Sequence, residues 1–147
     1  MAGVLAIDIL KKGEAIMVSC GFCGYHNNKD CTVLFENDLC VCLVHPDPIL
    51  EGSCLVIPKA HKATVFELND KEWEATKELI DKAKQYLDLN YSPDGYNVGW
   101  NCGEVGGQHG PLFHAHLHII PRFADEPYAG RGIRSWIKRE ENRRPSR

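Results

Sequence analysis

Runs of apolar and β-branched residues, bounded by turn residues, recur in the first part of the chain. Residues 32–36 and 39–44 are separated by Asn37 and Asp38, which favour a two-residue turn and therefore predict an antiparallel hairpin. A third run, residues 53–57, ends at a proline, which cannot continue a central ladder of hydrogen bonds. The pattern predicts three successive β-strands.

One long helix is predicted over residues 69–89, where apolar positions recur every three or four residues. Asn69 is placed to be its N-cap, and Glu72 completes a capping box. The stripe expected to face the core consists of Trp73, Thr76, Ile80, Ala83 and Leu87. The other faces of this helix are densely charged and are expected to face water.

Two further strands are predicted, over residues 96–101 and 112–120, on either side of a glycine-rich loop at 103–110. Most connections between the predicted strands are too short for parallel crossovers. The predicted fold class is therefore α+β, with a five-stranded antiparallel sheet and one long helix packed on it.

The composition is that of one globular domain: 147 residues, of which 44% are hydrophobic and 25% are charged. The first residues lack the pattern of a signal peptide, and no apolar run reaches membrane-spanning length. We therefore expect a single domain over residues 1–147, located in the cytoplasm. Seven cysteines in such a chain indicate reduced thiols or metal ligands rather than a disulfide framework.

The net charge of −3 hides a strong asymmetry. Residues 131–147 contain seven basic and two acidic residues, a net charge of +5, which leaves −8 on the rest of the chain. This basic tail either steers an anionic substrate or a polynucleotide, or folds back as an ion-paired helix on the acidic body. The second interpretation is favoured, because charge runs usually form solvated faces.

Three histidines, His114, His116 and His118, alternate within the apolar run 112–120. On a strand, alternate residues share one face and lie roughly 7 Å apart, which is too far for all three imidazoles to bind one ion. The spacing favours a division of labour, in which one imidazole performs covalent or proton-transfer chemistry and the others ligate, orient or contact phosphate. The alternative, three incidental histidines on a half-exposed strand, is much weaker.

Two further motifs suggest ligand chemistry. The glycines of residues 103–108 let backbone N–H groups converge on an anion, and Gln108 carries an amide that can donate to phosphate. Cys20 and Cys23 have the spacing of two thiolates on one zinc ion, although a redox pair and two free thiols fit equally well.

These motifs together resemble the histidine-triad (HIT) superfamily of nucleotide hydrolases and transferases. The resemblance lies in residues 97–108 (NVGWNCGEVGGQ), 113–122 (FHAHLHIIPR) and 55–61 (LVIPKAH), and extends over residues 20–122. It implies a homodimer whose two sheets join. Residues 123–147 lie outside the resemblance as a basic tail, in which Ile133, Trp136 and Ile137 predict a short helix. The resemblance also implies small nucleotide substrates. A membrane partner is not expected, because no apolar run is long enough to span a membrane, and nucleic acid is not favoured, because the tail lacks a recognisable binding module.

The resemblance also assigns chemistry to individual residues. His116 corresponds to the nucleophile that takes the nucleotidyl group from a dinucleoside polyphosphate, a nucleoside phosphoramidate or a similar conjugate. His118 would contact the phosphate oxygens, while Asn101, Gly107 and Gln108 would hold the phosphate or the leaving group. The alternative is a zinc-stabilised nucleotide-binding or adaptor module with little catalytic activity.

By the same resemblance, a structural zinc ion would be held by Cys20, Cys23, His61 and His114, as in bacterial-type members of the superfamily. This set would explain the division of labour, since His114 would serve the metal and leave His116 free. The alternative is that the thiols are free and His61 is an exposed loop residue. His26 is a possible substitute ligand.

Several positions depart from the pattern of the superfamily. About two extra residues follow Gln108, so His109 either protonates the leaving group or, as we favour, is an exposed loop residue. His45 occupies the position of a ribose-binding Asn or Asp, and Ser53 that of a fourth histidine. The hydrogen bonds to the nucleoside are therefore expected to differ.

Trp136 is expected to dock on the domain or on a partner, in preference to shaping the leaving-group pocket.

Overall fold

The computed structural model describes residues 6–11, 14–110 and 113–146. Its main element is a five-stranded antiparallel sheet with the spatial order β3-β4-β5-β7-β6. Its strands are β3 (Thr32–Glu36), β4 (Cys40–Val44), β5 (Cys54–Pro58), β6 (Gly95–Trp100) and β7 (Leu117–Arg122). The strands predicted over 32–36, 39–44, 53–57 and 96–101 are therefore confirmed to within one residue.

The long helix, α1 (Asp70–Tyr91), packs on one face of this sheet. The predicted capping box is present: the Glu72 N–H donates to Asn69 Oδ1, and the Asn69 N–H donates to the Glu72 carboxylate, both at 2.9 Å. Ser92, in the left-handed conformation at φ 49°, ends the helix. Capping and packing thus both fix where the helix lies.

The buried stripe of α1 differs from the predicted one at its first turns. Thr76, Ala83 and Leu87 are buried as predicted, but the core also contains Leu79, and Trp73 is 45% exposed. The stripe is displaced by one position around the helix, so Trp73 reaches the rim of the sheet and packs edge-on against Trp100. These helix residues cover a sheet core formed by Cys40, Cys42, Cys54, Val56, Leu117 and Ile119.

The predicted strand 112–120 is wrong at its start. Strand β7 begins only at Leu117, so His114 and His116 precede it, and residues 111–112 lie outside the described part of the chain. The reason lies in the partner strand: Pro58 has no N–H to continue the ladder, and its carbonyl is bonded to the His114 ring. The Ala115 N–H instead donates to Lys62 O at 2.7 Å.

Smaller elements lie outside the main sheet and α1. An antiparallel hairpin, β1 (Ala6–Lys11) with β2 (Glu14–Ser19), forms a separate two-stranded sheet that the sequence analysis missed. The basic tail contains a short α-helix, α2 (Ile133–Ile137), which is exposed to solvent. Among the described helices, none combines the length and apolar character needed to cross a membrane.

Candidate active site and metal centre

Four potential metal ligands converge just beyond the carboxyl end of β5. Cys20 Sγ lies 3.4 Å from His114 Nδ1, and Cys23 Sγ lies 3.2 Å from His61 Nδ1. All four ligand atoms lie within 4.8 Å of one another. The structure therefore brings together all four residues that were assigned to a metal.

The geometry of this cluster fits a tetrahedral zinc ion. Zinc bonds of about 2.3 Å to sulfur and about 2.0 Å to nitrogen place sulfur and nitrogen ligands roughly 3.5 Å apart. The sulfur–nitrogen distances here are 3.4 Å, 3.2 Å and 3.6 Å. His114, only 2% exposed, donates from Nε2 to Pro58 O at 2.8 Å, which leaves the Nδ1 lone pair facing the thiols.

Burial shifts the pKa of two members of the cluster. Burial lowers the pKa of His114 to about 4, and burial together with the Cys20 thiol raises the pKa of Cys23 to about 11. A metal ion bound by Cys23 therefore has to displace a proton. His26, the substitute ligand considered above, stacks on Tyr25 and does not belong to the cluster.

His116 and His118 form a second group beside the metal cluster. Their ring centroids lie 5.0 Å apart, and the His116 ring also contacts Phe22 at 5.3 Å. His116 Nδ1 lies 2.8 Å from the backbone carbonyl of His114. Because that carbonyl can only accept, the neutral ring carries its proton on Nδ1 and its lone pair on Nε2. The amino-acid sequence alone does not show which ring nitrogen carries the proton.

His118 is held neutral by its surroundings. Burial, followed by the nearby His116 and His45 rings, lowers its pKa to about 4. At pH 7 it therefore presents one N–H donor and one lone pair, rather than a charge.

A cleft of about 410 Å³ opens beside His118, within the size range of small-molecule sites, roughly 300–1,000 Å³. His45, Asn101 and His118 line it, and the His45 ring lies 6.1 Å from that of His118. A slightly larger groove of about 460 Å³ lies between α1 and the β3–β4 turn but has no histidine or cysteine in its lining. The chemistry therefore favours the cleft beside His118.

The glycine-rich loop is held by Gln108, which is fully buried. Its Nε2 donates to Ala63 O at 2.7 Å, and its Oε1 accepts from the Gly103 N–H at 2.9 Å. Gly107 has φ 91°, and a Cβ atom there would meet the Asn101 amide at 3.6 Å. The structure thus gives Gln108 backbone partners, and its direct contact with phosphate stays a prediction. His109 is exposed, as favoured.

Replacing Gln108 by alanine should lower the free energy of unfolding by about 1–3 kcal/mol, because the partly buried Ala63 carbonyl and Gly103 N–H lose their partners. Denaturant unfolding measures the change. His109→Ala, at the exposed neighbouring position, should stay within about 0.5 kcal/mol of the wild type. Equal stability of all three proteins would contradict the role of Gln108 in fixing the loop.

Comparison with known proteins identifies the family to which this arrangement belongs. The family model of the HIT domain matches residues 26–125. The chain belongs to the HIT family. This HIT protein is 32% identical over 120 residues to an adenosine 5′-monophosphoramidase of Schizosaccharomyces pombe, a match that covers 81% of this chain and 86% of the relative.

A second relative is an adenylylsulfatase of Arabidopsis thaliana, 32% identical over 112 residues. That match covers 76% of this chain but only 56% of the relative, so the HIT protein spans little more than half of that enzyme's length.

Solved structures agree with the predicted fold class. A HIT family protein from Bacillus anthracis matches with a TM-score of 0.65 and 27% identity, over 84% of this chain and 88% of that protein. A zinc-bound histidine triad family protein from Mycobacterium smegmatis matches with a TM-score of 0.65 and 23% identity, over 76% and 81% of the two chains. The antiparallel sheet with one long helix is therefore confirmed as the HIT fold.

Proposed function

We propose that this HIT protein cleaves nucleotide conjugates at the α-phosphate through a covalent intermediate on His116. The observation that carries the proposal is the 2.8 Å hydrogen bond from His116 Nδ1 to the carbonyl of His114. It keeps the lone pair on Nε2, and a neutral imidazole is a competent nucleophile near pH 7. Family membership and the relatives named as a phosphoramidase and an adenylylsulfatase support the same chemistry.

The reaction divides into two displacements. In the first, His116 Nε2 forms a bond to the α-phosphorus while the bond from phosphorus to the leaving group breaks, and the leaving group takes up a proton. In the second, water attacks the same phosphorus, releases the nucleoside monophosphate and restores His116. Two steps replace one difficult displacement. His118, neutral and on the cleft wall, donates its N–H to a phosphate oxygen.

Nucleoside recognition falls to residues that differ from the usual pattern of the superfamily. His45 lies in the cleft beside His118 and offers both a donor and an acceptor to a sugar hydroxyl. Ser53 is 3% exposed, and its Oγ has no hydrogen-bond partner among the described residues. Because a buried hydroxyl without a partner is unfavourable, we assign Ser53 to a bound water or to the substrate. Asn101 lines the cleft, Gly107 lies against the Asn101 amide, and we assign both to the phosphate.

Zinc has a structural role in this proposal. Cys20, Cys23, His61 and His114 would hold it, and the ion would cross-link the segment before β3, the segment after β5 and the segment before β7. His116 follows His114 by two residues, so the cross-link would fix the backbone carbonyl that orients the nucleophile. The zinc-bound relative from Mycobacterium smegmatis supports the choice of metal.

The proposal is tested with a panel of adenylated and guanylated phosphoramidates, sulfates and dinucleoside polyphosphates. The expected result is release of a nucleoside monophosphate and, in rapidly quenched reactions, a nucleotidyl adduct that mass spectrometry locates on His116. Nucleotide binding without release of a monophosphate from any substrate would instead support a zinc-stabilised binding or adaptor module. The departures at His45 and Ser53 favour that second candidate.

A homodimer joined at the β6 edges completes the proposal. Strand β6 is an edge strand of the five-stranded sheet, and Val98 at its centre is 51% exposed. Trp73 of α1, 45% exposed, packs edge-on against Trp100 of β6 at 6.0 Å. An apolar edge of this kind favours pairing with a second chain.

The substitution Trp73→Asp should weaken the dimer at least about tenfold, because buried aromatic residues dominate interfaces of this kind. Sedimentation velocity over a concentration series measures the change. Leu89→Asp is the matched control, since Leu89 is an 85% exposed apolar residue at the other end of the same helix. A monomeric wild type, or equal weakening by both substitutions, would contradict the assignment of Trp73.

A further inference from the structure

The carboxyl-terminal segment folds back on the sheet and forms one wall of the cleft beside His118. Arg122, the last residue of β7, holds it there. Its guanidinium donates to Arg131 O at 2.8 Å and to Tyr128 O at 2.9 Å, and it also bonds the Glu126 carboxylate and Asn97 Oδ1. The N–H donors of Arg122 are already used in these hydrogen bonds, which leaves Arg122 unsuited to binding a ligand.

Arg131 has the opposite character. Its guanidinium lies over the rings of Tyr128 and Trp136, with centroids 5.1 Å and 5.4 Å away. No carboxylate in the described residues lies within ion-pair distance of it, and the cleft lining contains neither Asp nor Glu. An arginine packed against two aromatic rings is fixed in direction at low entropic cost and keeps its N–H donors available. Arg131 is thus a preorganised cation at a cleft without acidic groups.

We propose that Arg131 is a specificity-determining residue that binds a phosphate group of the leaving group. The inference rests on the proposed function, which places the α-phosphate at His116 and His118. Those histidines are half-buried, whereas Arg131 is exposed at the cleft rim. A nucleoside carries no further anion, so only a leaving group with its own phosphates presents charge at the rim. A planar guanidinium group can donate two parallel hydrogen bonds to a phosphate group.

The test compares two substrates that transfer the same nucleotide and differ in their leaving groups. Diadenosine tetraphosphate loses a polyanion, whereas adenosine 5′-phosphoramidate loses ammonia. For Arg131→Ala, kcat/KM for the tetraphosphate should fall about 10- to 100-fold, the range expected when a hydrogen bond to a charged group is lost. With the phosphoramidate it should stay within about twofold. Arg134→Ala, an exposed arginine outside the cleft lining, should change neither value.

Ionic strength provides a second readout, because salt screens an exposed charge pair. Raising the salt concentration should slow the tetraphosphate reaction of the wild type more than that of Arg131→Ala. Equal losses of both activities in Arg131→Ala would overturn the inference and assign Arg131 to the transferred nucleotide. An unchanged tetraphosphate activity would overturn it as well.

Failure of the proposed function gives a different result. If the wild type cleaves neither substrate, the proposed function fails, and equilibrium binding of intact diadenosine tetraphosphate becomes the test of Arg131. A Kd at least about tenfold higher for Arg131→Ala than for Arg134→Ala would still support a phosphate contact. Equal Kd values would overturn it.

Discussion

Replacing His116 by alanine is expected to lower kcat/KM for every accepted substrate at least about 1,000-fold, because the nucleophile of the covalent step is removed. The loss should appear in kcat, while the Kd for a nucleoside monophosphate should change little. Steady-state kinetics and calorimetric titration measure the two quantities separately. His116 is half-buried and lies beside His118, so the fold should survive the substitution.

Two controls make this result specific to the nucleophile. His109→Ala removes an exposed imidazole from the neighbouring loop and should leave kcat near the wild-type value. His116→Asn retains a side-chain donor for the His114 carbonyl but has no nucleophilic nitrogen, so it should be as inactive as the alanine variant. Substantial turnover in either His116 variant would exclude the covalent mechanism and leave the binding module as the better interpretation.

The fold was predictable where local patterns and packing agree. Runs of apolar and β-branched residues located four strands of the main sheet, and the Asn69–Glu72 capping box located the start of α1. The pattern failed where tertiary contacts decide the outcome. Trp73 belongs to the apolar stripe by sequence spacing, yet Leu79 is buried in the core and Trp73 lies at the sheet rim.

In the candidate site, too, sequence patterns identified the residues but not their contacts. Sequence spacing identified the three histidines, but it predicted them on one strand. In the structure only His118 lies in β7, because the ladder stops near Pro58 and the His114 ring bonds its carbonyl instead. The bonds of Gln108 to Ala63 and Gly103 join residues 45 and 5 positions apart and leave no periodic signal in the sequence.

Loss of the metal cluster is expected to produce the largest change in stability. The wild-type protein should contain one zinc ion per chain by elemental analysis, and Cys20→Ala should contain none. Structural zinc contributes several kcal/mol to folding, on the order of 10 kcal/mol in zinc-finger peptides, so the midpoint of thermal unfolding should fall by at least about 10 °C. Adding a strong chelator to the wild type should reproduce the shift.

The control is Cys31→Ala, because Cys31 is a partly buried cysteine that lies outside the four-ligand cluster. Its unfolding midpoint should respond to the chelator as the wild type does. The activity of Cys20→Ala tests whether zinc also positions the nucleophile, since His114 connects the cluster to the carbonyl that orients His116. If zinc only holds the fold together, the variant should recover turnover below its unfolding transition. If zinc also fixes His114, kcat should stay reduced in the folded variant.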